Sequence, residues 1–324
     1  MVEPLRRLAA LALLIILASS SAAQDRPKYE RTRDVIYGRK SGLALTMDVF
    51  TPRKPNGFGV ISVVSGGWFS NPKSINVAFY QPLLDRGYTV FAVVHGSQPK
   101  FTLPEIVEDM HRAVRFIRHD AKKYAIEPDR IGIMGASAGG HLSLMMGTAG
   151  TKGDPKATDP VDRESSAVQA VACFFPPTDF LNYGKKGHEM IDRQFQPPFT
   201  AAVDYQEFDR EKALYRRITD KEKLREISKQ VSPMSHLTKT SAPSLLISGD
   251  KDELVPFQQS VAFVDRCKEV GVAAKLETRK GAGHGWLTIL LDLPLFADWF
   301  DLHLRKVEKK AEADSGKGGD GKNR

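Results

Sequence analysis

Cysteine is scarce in this sequence, and no group of histidines and cysteines has the spacing of a metal site. Only two cysteines, Cys173 and Cys267, occur among 324 residues. Both lie in segments with the composition of buried structure, so we expect two buried thiols. A disulfide is the alternative that an oxidising compartment would allow, within its strict geometry. Zinc sites need clustered cysteine and histidine ligands, and we expect no metal and no other cofactor.

The sequence also lacks a basic stripe with interleaved aromatic residues. The formal net charge is +8, but both signs are mixed in the most charged segments, residues 210–229 and 305–324. Nucleic-acid-binding domains concentrate positive charge on one face or helix. Nucleic acid is therefore not an expected partner.

No apolar run is long enough to span a membrane. The run over residues 8–17 follows two arginines and falls short of the ~20 residues that a spanning helix needs. Small residues follow, and Ser21 and Ala23 fit the −3 and −1 positions of a cleavage site. We therefore predict an export signal over residues 1–23, a secreted or periplasmic protein, and no stable membrane span after cleavage. A membrane anchor is the alternative.

Patterns of buried strands and of helices alternate along the chain. Continuous apolar runs of this kind are typical of strands covered on both faces, and they occur at residues 57–64, 88–95, 167–175 and 242–249. Helical patterns lie between them. This alternation predicts an α/β domain over residues 24–306, with a mostly parallel central sheet and helices on both faces.

Three further segments complete the predicted organisation. Residues 43–52 have the pattern of an edge strand. The alternation breaks over residues 179–232, which we interpret as a lid or cap insertion above the carboxyl ends of the strands. Residues 307–324 are charged and glycine-rich, and they are predicted to be a disordered tail.

One serine lies in a glycine-rich junction between a strand pattern and a helix pattern. Residues 135–139 read G-A-S-A-G, which fits the G-x-S-x-G motif. So sharp a turn brings its flanking segments together, so that only glycine fits at Gly135 and Gly139. The turn exposes the hydroxyl of Ser137 and brings the N–H of Ala138 to a helix N-terminus, which favours negative charge. These features predict that Ser137 is a nucleophile.

A serine hydroxyl needs a base and a carboxylate to become a good nucleophile. His284 lies in the glycine-rich loop at residues 281–286, and Asp252 lies in the turn after a predicted strand. The order serine, aspartate, histidine is the one expected for this type of motif. Asp250 and Glu253 are the alternative acids.

A second glycine pair follows an early predicted strand, where donors for an oxyanion are expected. Gly66 and Gly67 let backbone N–H groups approach a substrate closely. We predict that Gly66, Gly67 and Ala138 form an oxyanion hole, with Trp68 as the alternative to Gly66. A plain tight turn is the other interpretation of this loop.

These motifs together resemble the α/β-hydrolase superfamily. The closest group is that of esterases and lipases with an H-G-G-G-W-type oxyanion loop, such as acetylxylan and feruloyl esterases and relatives of hormone-sensitive lipase. The matching segments are residues 129–147, 232–260 and 281–286. The resemblance implies that Ser137 is the nucleophile and that His284 is its base, oriented by Asp252.

The oxyanion loop departs from that pattern. Val64 and Ser65 stand where the family has its histidine and first glycine. The family's Y-R-L-A-P motif is replaced by residues 93–101, V-V-H-G-S-Q-P-K-F, which place His95 near the expected rim of the pocket. These departures leave the implied reaction unchanged and bear on the substrate.

The resemblance implies an exported serine carboxylic-ester hydrolase that works through an acyl-enzyme. Its expected substrates are small-molecule or polysaccharide esters, either with short acyl groups or with polysaccharide-linked acetyl or feruloyl groups. A serine peptidase similar to prolyl peptidases is one alternative. A catalytically silent binding protein on a hydrolase scaffold is another, against which the complete set of candidate catalytic residues argues.

Overall fold

The computed structural model describes residues 28–191 and 198–306. The predicted export signal (1–23) and the predicted tail (307–324) therefore lie outside the described residues. Within the described ranges, each helix is too short or too polar to reach across a lipid bilayer.

The described residues form one large sheet and one separate hairpin. Eight strands belong to the sheet, and β7 and β8 form the hairpin. In chain order, the strands are β1 Tyr29–Lys40, β2 Leu43–Pro52, β3 Gly59–Val63, β4 Thr89–Val94, β5 Ile131–Ala136, β6 Ala170–Phe174, β7 Gln206–Asp209, β8 Leu214–Arg217, β9 Ser244–Gly249 and β10 Ala274–Arg279.

The sheet order is β1-β2-β4-β3-β5-β6-β9-β10. The β1–β2 and β2–β4 pairs are antiparallel, whereas the pairs from β4 to β10 are parallel. The predicted α/β architecture with a mostly parallel sheet is thus confirmed. Parallel strands end at a common edge of the sheet, so the loops after β3, β5, β6, β9 and β10 meet there.

The prediction that residues 43–52 form the edge strand is wrong. This strand, β2, lies between β1 and β4, and Met47 and Phe50 within it are fully buried. The edge strand on this side of the sheet is β1. The sequence did not indicate this strand, because charged and exposed residues interrupt its apolar pattern. Charged residues are common on edge strands, where they oppose pairing with another chain.

Helices cover both faces of the sheet, as predicted. One face packs against residues of α2, α3 and α5, and the other against residues of α1 and α6. The helices are α1 Gln81–Asp85, α2 Leu103–His119, α3 Ala138–Thr148, α4 Lys221–Gln230, α5 Gln258–Val270 and α6 Leu293–Phe300, followed by a π-helical turn at Asp301–Arg305.

Both cysteines are buried, free thiols, as expected. Cys173 lies in β6 and Cys267 in α5. Burial raises the pKa of Cys267 to about 12 and that of Cys173 further. Thiols with raised pKa values are poor nucleophiles near pH 7, and both side chains pack in the hydrophobic core.

The segment predicted as a lid or cap, residues 179–232, leaves the sheet after β6 and returns before β9. Its described part contains the β7–β8 hairpin and helix α4. The hydroxyl of Tyr183 in this segment donates a hydrogen bond to the carbonyl of Leu254, at 2.9 Å. This contact ties the insertion to the loop after β9, while its role as a lid stays a prediction.

Candidate active site

Ser137 occupies the apex of the turn between β5 and α3. Its backbone has φ 53° and ψ −120°, a strained conformation for a residue with a side chain. Its N–H donates to the carbonyl of Phe174 at 3.0 Å. A Cβ on Gly135 would lie 2.4 Å from the carbonyl carbon of Gly139, so the chain can make this turn only with glycine there.

A continuous line of hydrogen bonds joins the three predicted side chains. The Nε2 atom of His284 lies 2.9 Å from the Oγ atom of Ser137. The Nδ1 atom of the same ring lies 2.8 Å from Oδ2 of Asp252. Because a carboxylate accepts, Nδ1 carries the proton, and Nε2 is left to accept the proton of the serine hydroxyl.

Asp252 is held rigidly in the loop after β9. Its side chain is fully buried, and its Oδ1 atom accepts the N–H groups of Leu254 and Val255 at 3.0 and 2.9 Å. Asp250, the alternative acid, instead accepts the N–H of Gly281 at 2.6 Å. The other alternative, Glu253, is exposed to solvent. Of these three acids, Asp252 is the one that contacts His284.

The loop that carries His284 is anchored by aromatic packing. The imidazole ring lies 4.4 Å from the ring of Phe175, between centroids. Trp286 packs edge-on against the same phenylalanine, and its indole N–H donates to Asp292 at 2.8 Å. Sequence analysis did not identify Phe175 or Trp286, although Trp286 follows His284 by only two residues.

The predicted oxyanion loop is a tight two-residue hairpin. The N–H and carbonyl groups of Gly66 and Phe69 bond to each other, each at 3.0 Å. Gly67 and Trp68 between them have φ values of 54° and 62°, the signature of a type I′ turn. The N–H of Gly66 is therefore already used, and Gly66 is withdrawn as a candidate donor.

Two of the predicted donors remain available. The N–H groups of Gly67 and Ala138 have no hydrogen-bond partner among the residues that the structure describes. Both residues line the cavity next to Ser137. Ala138 is the first residue of α3, where the helix dipole adds to the attraction for negative charge.

Two cavities lie on either side of the hairpin. The one at Ser137 has a volume of about 30 Å³, and its walls include Tyr183, Phe199 and Leu254. The other, of about 420 Å³, is bordered by Gly66, by Ala136 and by several aromatic and amide side chains, namely Phe69, Asn71, Asn76, Phe79 and Tyr80. Ser137 thus lines the small cavity, while the large one borders the hairpin and the neighbouring residue Ala136.

Two buried histidines support the hairpin without contacting Ser137 Oγ. His95 donates from Nδ1 to the carbonyl of Gly96 and accepts at Nε2 from the hydroxyl of Ser65, both at 2.8 Å. His141 accepts the indole N–H of Trp68 at 3.2 Å. Burial lowers the pKa of each imidazole to about 4, so both rings are neutral near pH 7. His95 is thus buried behind Ser65, as expected for a structural histidine and unlike a residue at the rim of the pocket.

Comparisons with known proteins show the family to which the chain belongs. A family model described as BD-FAE matches residues 47–267. Esterase LipQ of Mycobacterium tuberculosis is 28% identical over 218 residues, which cover 66% of this chain and 46% of LipQ. Acetylxylan esterase of Xylanibacter ruminicola is 30% identical over 135 residues, covering 42% of this chain and 27% of that protein. The chain thus spans about half the length of LipQ, or less than a third in the second case.

Solved structures resemble the whole described fold. A truncated carbohydrate esterase from gut microbiota has a TM-score of 0.67 and 24% identity, covering 85% of this chain and 98% of that one. Esterase Est2 of Thermogutta terrifontis has a TM-score of 0.63 and 22% identity, covering 88% and 96%. At this level of identity the likeness concerns the fold.

Proposed function

Because the chain belongs to the BD-FAE family and has the α/β-hydrolase fold, we propose that it is a serine carboxylic-ester hydrolase that works through an acyl-enzyme. The observation that carries the proposal is the 2.9 Å contact between His284 Nε2 and Ser137 Oγ, with Asp252 on the far side of the ring. The relatives named as esterases support the same reaction class.

The proposed reaction begins with proton transfer. His284 takes the hydroxyl proton of Ser137 as Oγ attacks the ester carbonyl carbon, and the carbonyl π electrons move to oxygen. Asp252 holds the imidazole in place and stabilises its positive charge. The N–H groups of Gly67 and Ala138 bind the oxyanion, a type of contact whose loss costs roughly 10²- to 10³-fold in rate.

Collapse of the tetrahedral intermediate completes the first half of the reaction. The oxyanion reforms the carbonyl, the bond to the alcohol oxygen breaks, and His284 gives its proton to the departing alcohol. Water then attacks the acyl-enzyme and loses a proton to His284. The second collapse releases the acid and returns the proton to Ser137. All of these proton transfers use Nε2 of one ring, the atom that contacts Ser137.

We propose a short acyl group, with acetyl as the best fit. The cavity of about 30 Å³ that adjoins Ser137 is small, whereas pockets for drug-sized ligands measure roughly 300–1,000 Å³. The cavity of about 420 Å³ on the other side of the hairpin is assigned to the alcohol part. Together with relatives named as acetylxylan and carbohydrate esterases, this favours acetyl esters of carbohydrates over feruloyl esters.

Export is a separate part of the proposal. It rests on the arginines, apolar run and small residues within residues 1–23. Expression of the full chain in a bacterium, followed by N-terminal sequencing of the periplasmic and secreted fractions, tests it. A mature N-terminus at Gln24 supports export, and an intact N-terminus confined to the cytoplasm contradicts it.

The direct test of the activity is replacement of the nucleophile. Ser137→Ala should abolish hydrolysis of 4-nitrophenyl acetate while leaving the circular dichroism spectrum unchanged. Ser166→Ala is the matched control, because Ser166 is a buried serine that contacts His111, a residue without contact to the site. Turnover retained by Ser137→Ala would overturn the assignment. No hydrolysis by the unaltered protein would favour a silent binding protein.

A further inference from the structure

We propose that Gln98 is a positioning residue that holds the oxyanion hairpin in its active conformation; this inference rests on the proposed function. Gln98 lies in the loop after β4 and is 2% exposed. Its side-chain Nε2 donates to the carbonyl of Gly67. Its backbone N–H donates to the carbonyl of Trp68, at 3.3 Å. One residue thus donates hydrogen bonds to both central residues of the hairpin.

These two contacts fix the direction of the peptide between Gly67 and Trp68. In a trans peptide the C=O of one residue and the N–H of the next point in opposite directions. The hydrogen bond from Gln98 to the carbonyl of Gly67 therefore also fixes the direction of the N–H of Trp68. The reciprocal bonds between Gly66 and Phe69 do not hold this central peptide, since both join the ends of the turn.

The conformation of the hairpin favours rotation of the peptide between Gly67 and Trp68. Trp68 has φ 62°, and a bulky residue at positive φ is strained. Rotation of the central peptide would convert the type I′ turn to type II′, which needs positive φ only at its first central residue. Gly67 can keep that value without cost, while Trp68 would relax to negative φ. The bonds from Gln98 oppose this relaxation.

The rotated hairpin would be a poor oxyanion site. Rotation exchanges the directions of the Gly67 carbonyl and the Trp68 N–H, and both residues line the cavity at Ser137. A carbonyl oxygen turned toward the developing negative charge would repel it. The indole of Trp68 also contacts His141 and Phe180, which limits how far this side chain can move during such a rotation.

The unpaired Oε1 atom of the same side chain indicates that Gln98 has a functional role. Its Oε1 atom is buried and has no hydrogen-bond partner among the described residues. A buried acceptor without a partner destabilises the folded state. An apolar residue of similar size would avoid this cost but could not hold Gly67. Residues that lower stability in this way are typical of sites where activity sets the requirement.

The test replaces Gln98 by an apolar residue of similar shape. Gln98→Met, and Gln98→Leu as a second variant, remove the donor and the unpaired acceptor together. We expect kcat/KM for 4-nitrophenyl acetate to fall roughly 10- to 100-fold. The inhibition constant of a phenylethyl trifluoromethyl ketone, which forms an oxyanion adduct, should rise by the same factor. The melting temperature should stay equal or rise, and the pH midpoint of kcat/KM should not move, since His284 and Asp252 are untouched.

A matched control separates positioning from general packing. Thr89→Val removes another buried oxygen that has no partner among the described residues, at the opposite end of β4, and it should leave kcat/KM and the inhibition constant unchanged. A folded Gln98 variant with kcat/KM within about twofold of the unaltered protein would overturn the inference, since a lost oxyanion contact costs far more. So would a loss of rate with unchanged ketone inhibition. Absence of hydrolysis by the unaltered protein would instead count against the proposed function.

Discussion

The indole N–H of Trp68 donates to Nδ1 of His141 across 3.2 Å, which joins the Gly66–Phe69 hairpin to the helix that follows Ser137. The other nitrogen of that ring donates to the carbonyl of Val231 at 2.7 Å, so the neutral imidazole uses both of its nitrogens. The backbone N–H of His141 also donates to the carbonyl of Ser137, at 2.9 Å. The hairpin, the nucleophile turn and the insertion are thereby held as one unit.

This arrangement predicts that the protein loses stability in mild acid. Burial lowers the pKa of His141 and of His95 from the ordinary 6.5 to about 4. As the pH falls, the unfolded chain binds protons first, so the stability from each neutral ring is complete above pH 6.5 and lost between pH 6.5 and about 4. The loss should be about 3 kcal/mol for each ring.

Urea unfolding at a series of pH values across that interval measures the effect. His95→Asn removes one of the titrating groups and should make the pH dependence shallower. His119→Asn alters an exposed histidine and should leave the dependence as it was. A free energy of unfolding that stays constant through the interval would contradict the account of these two rings.

A second prediction distinguishes the two neighbouring aspartates. Asp252→Asn should lower kcat/KM by roughly 10³- to 10⁴-fold, because an amide no longer holds the imidazole in the tautomer that accepts the serine proton. Asp250→Asn keeps an oxygen that can accept the N–H of Gly281, so activity should change little. Steady-state kinetics on both purified variants measure the two values of kcat/KM. An equal loss of kcat/KM in both variants would mean that activity does not depend on the contact between Asp252 and His284.

The unequal cavities predict a preference for one of two isomeric esters. 2-Phenylethyl acetate has a small acyl group and a large alcohol, whereas methyl 3-phenylpropanoate reverses them with the same atoms. The acetate should be hydrolysed with the higher kcat/KM, since about 30 Å³ is available beside Ser137 and about 420 Å³ beyond the hairpin. Phe199→Ala enlarges the small cavity and should reduce the difference in kcat/KM between the two esters. A preference for the methyl ester would reverse the assignment of the two cavities.

A fourth prediction concerns Gly67, the first central residue of the hairpin. A Cβ on Gly67 would lie 2.3 Å from the ring of Phe199, so Gly67→Ala should displace the hairpin and lower kcat/KM about tenfold or more. Adding Phe199→Ala removes the overlap and should restore part of the rate. Gly42→Ala is the control, since Gly42 also has positive φ but open space around it. It should cost about 1 kcal/mol of stability and no activity.

The sequence indicated the parts of this structure that depend on local patterns. The strands under the site are continuous apolar runs, and the turn at Ser137 has glycine at two positions, Gly135 and Gly139, where a Cβ would overlap backbone atoms. It missed β1, whose burial pattern is mostly exposed. It also missed the β7–β8 hairpin, whose strands lie outside the main sheet.

The sequence was least informative about the support of the site. Gln98 and His141 lie far from each other in the chain, and they meet at Trp68 only because the loops after β3 and β4 and helix α3 converge in the fold. The N–H of Gly66 could not be excluded as a donor before its bond to Phe69 was known. Contacts of this kind depend on tertiary packing and leave no periodic pattern.

The most direct test of the central claim is whether the hydroxyl of Ser137 is activated by His284. A fluorophosphonate probe reacts with serines that have an adjacent base, and tandem mass spectrometry of the digested protein locates the adduct. One adduct is expected, on Ser137, and it should be lost in Ser137→Ala and strongly reduced in His284→Ala. Absence of labelling, or an adduct on another serine with Ser137 unmodified, would contradict it.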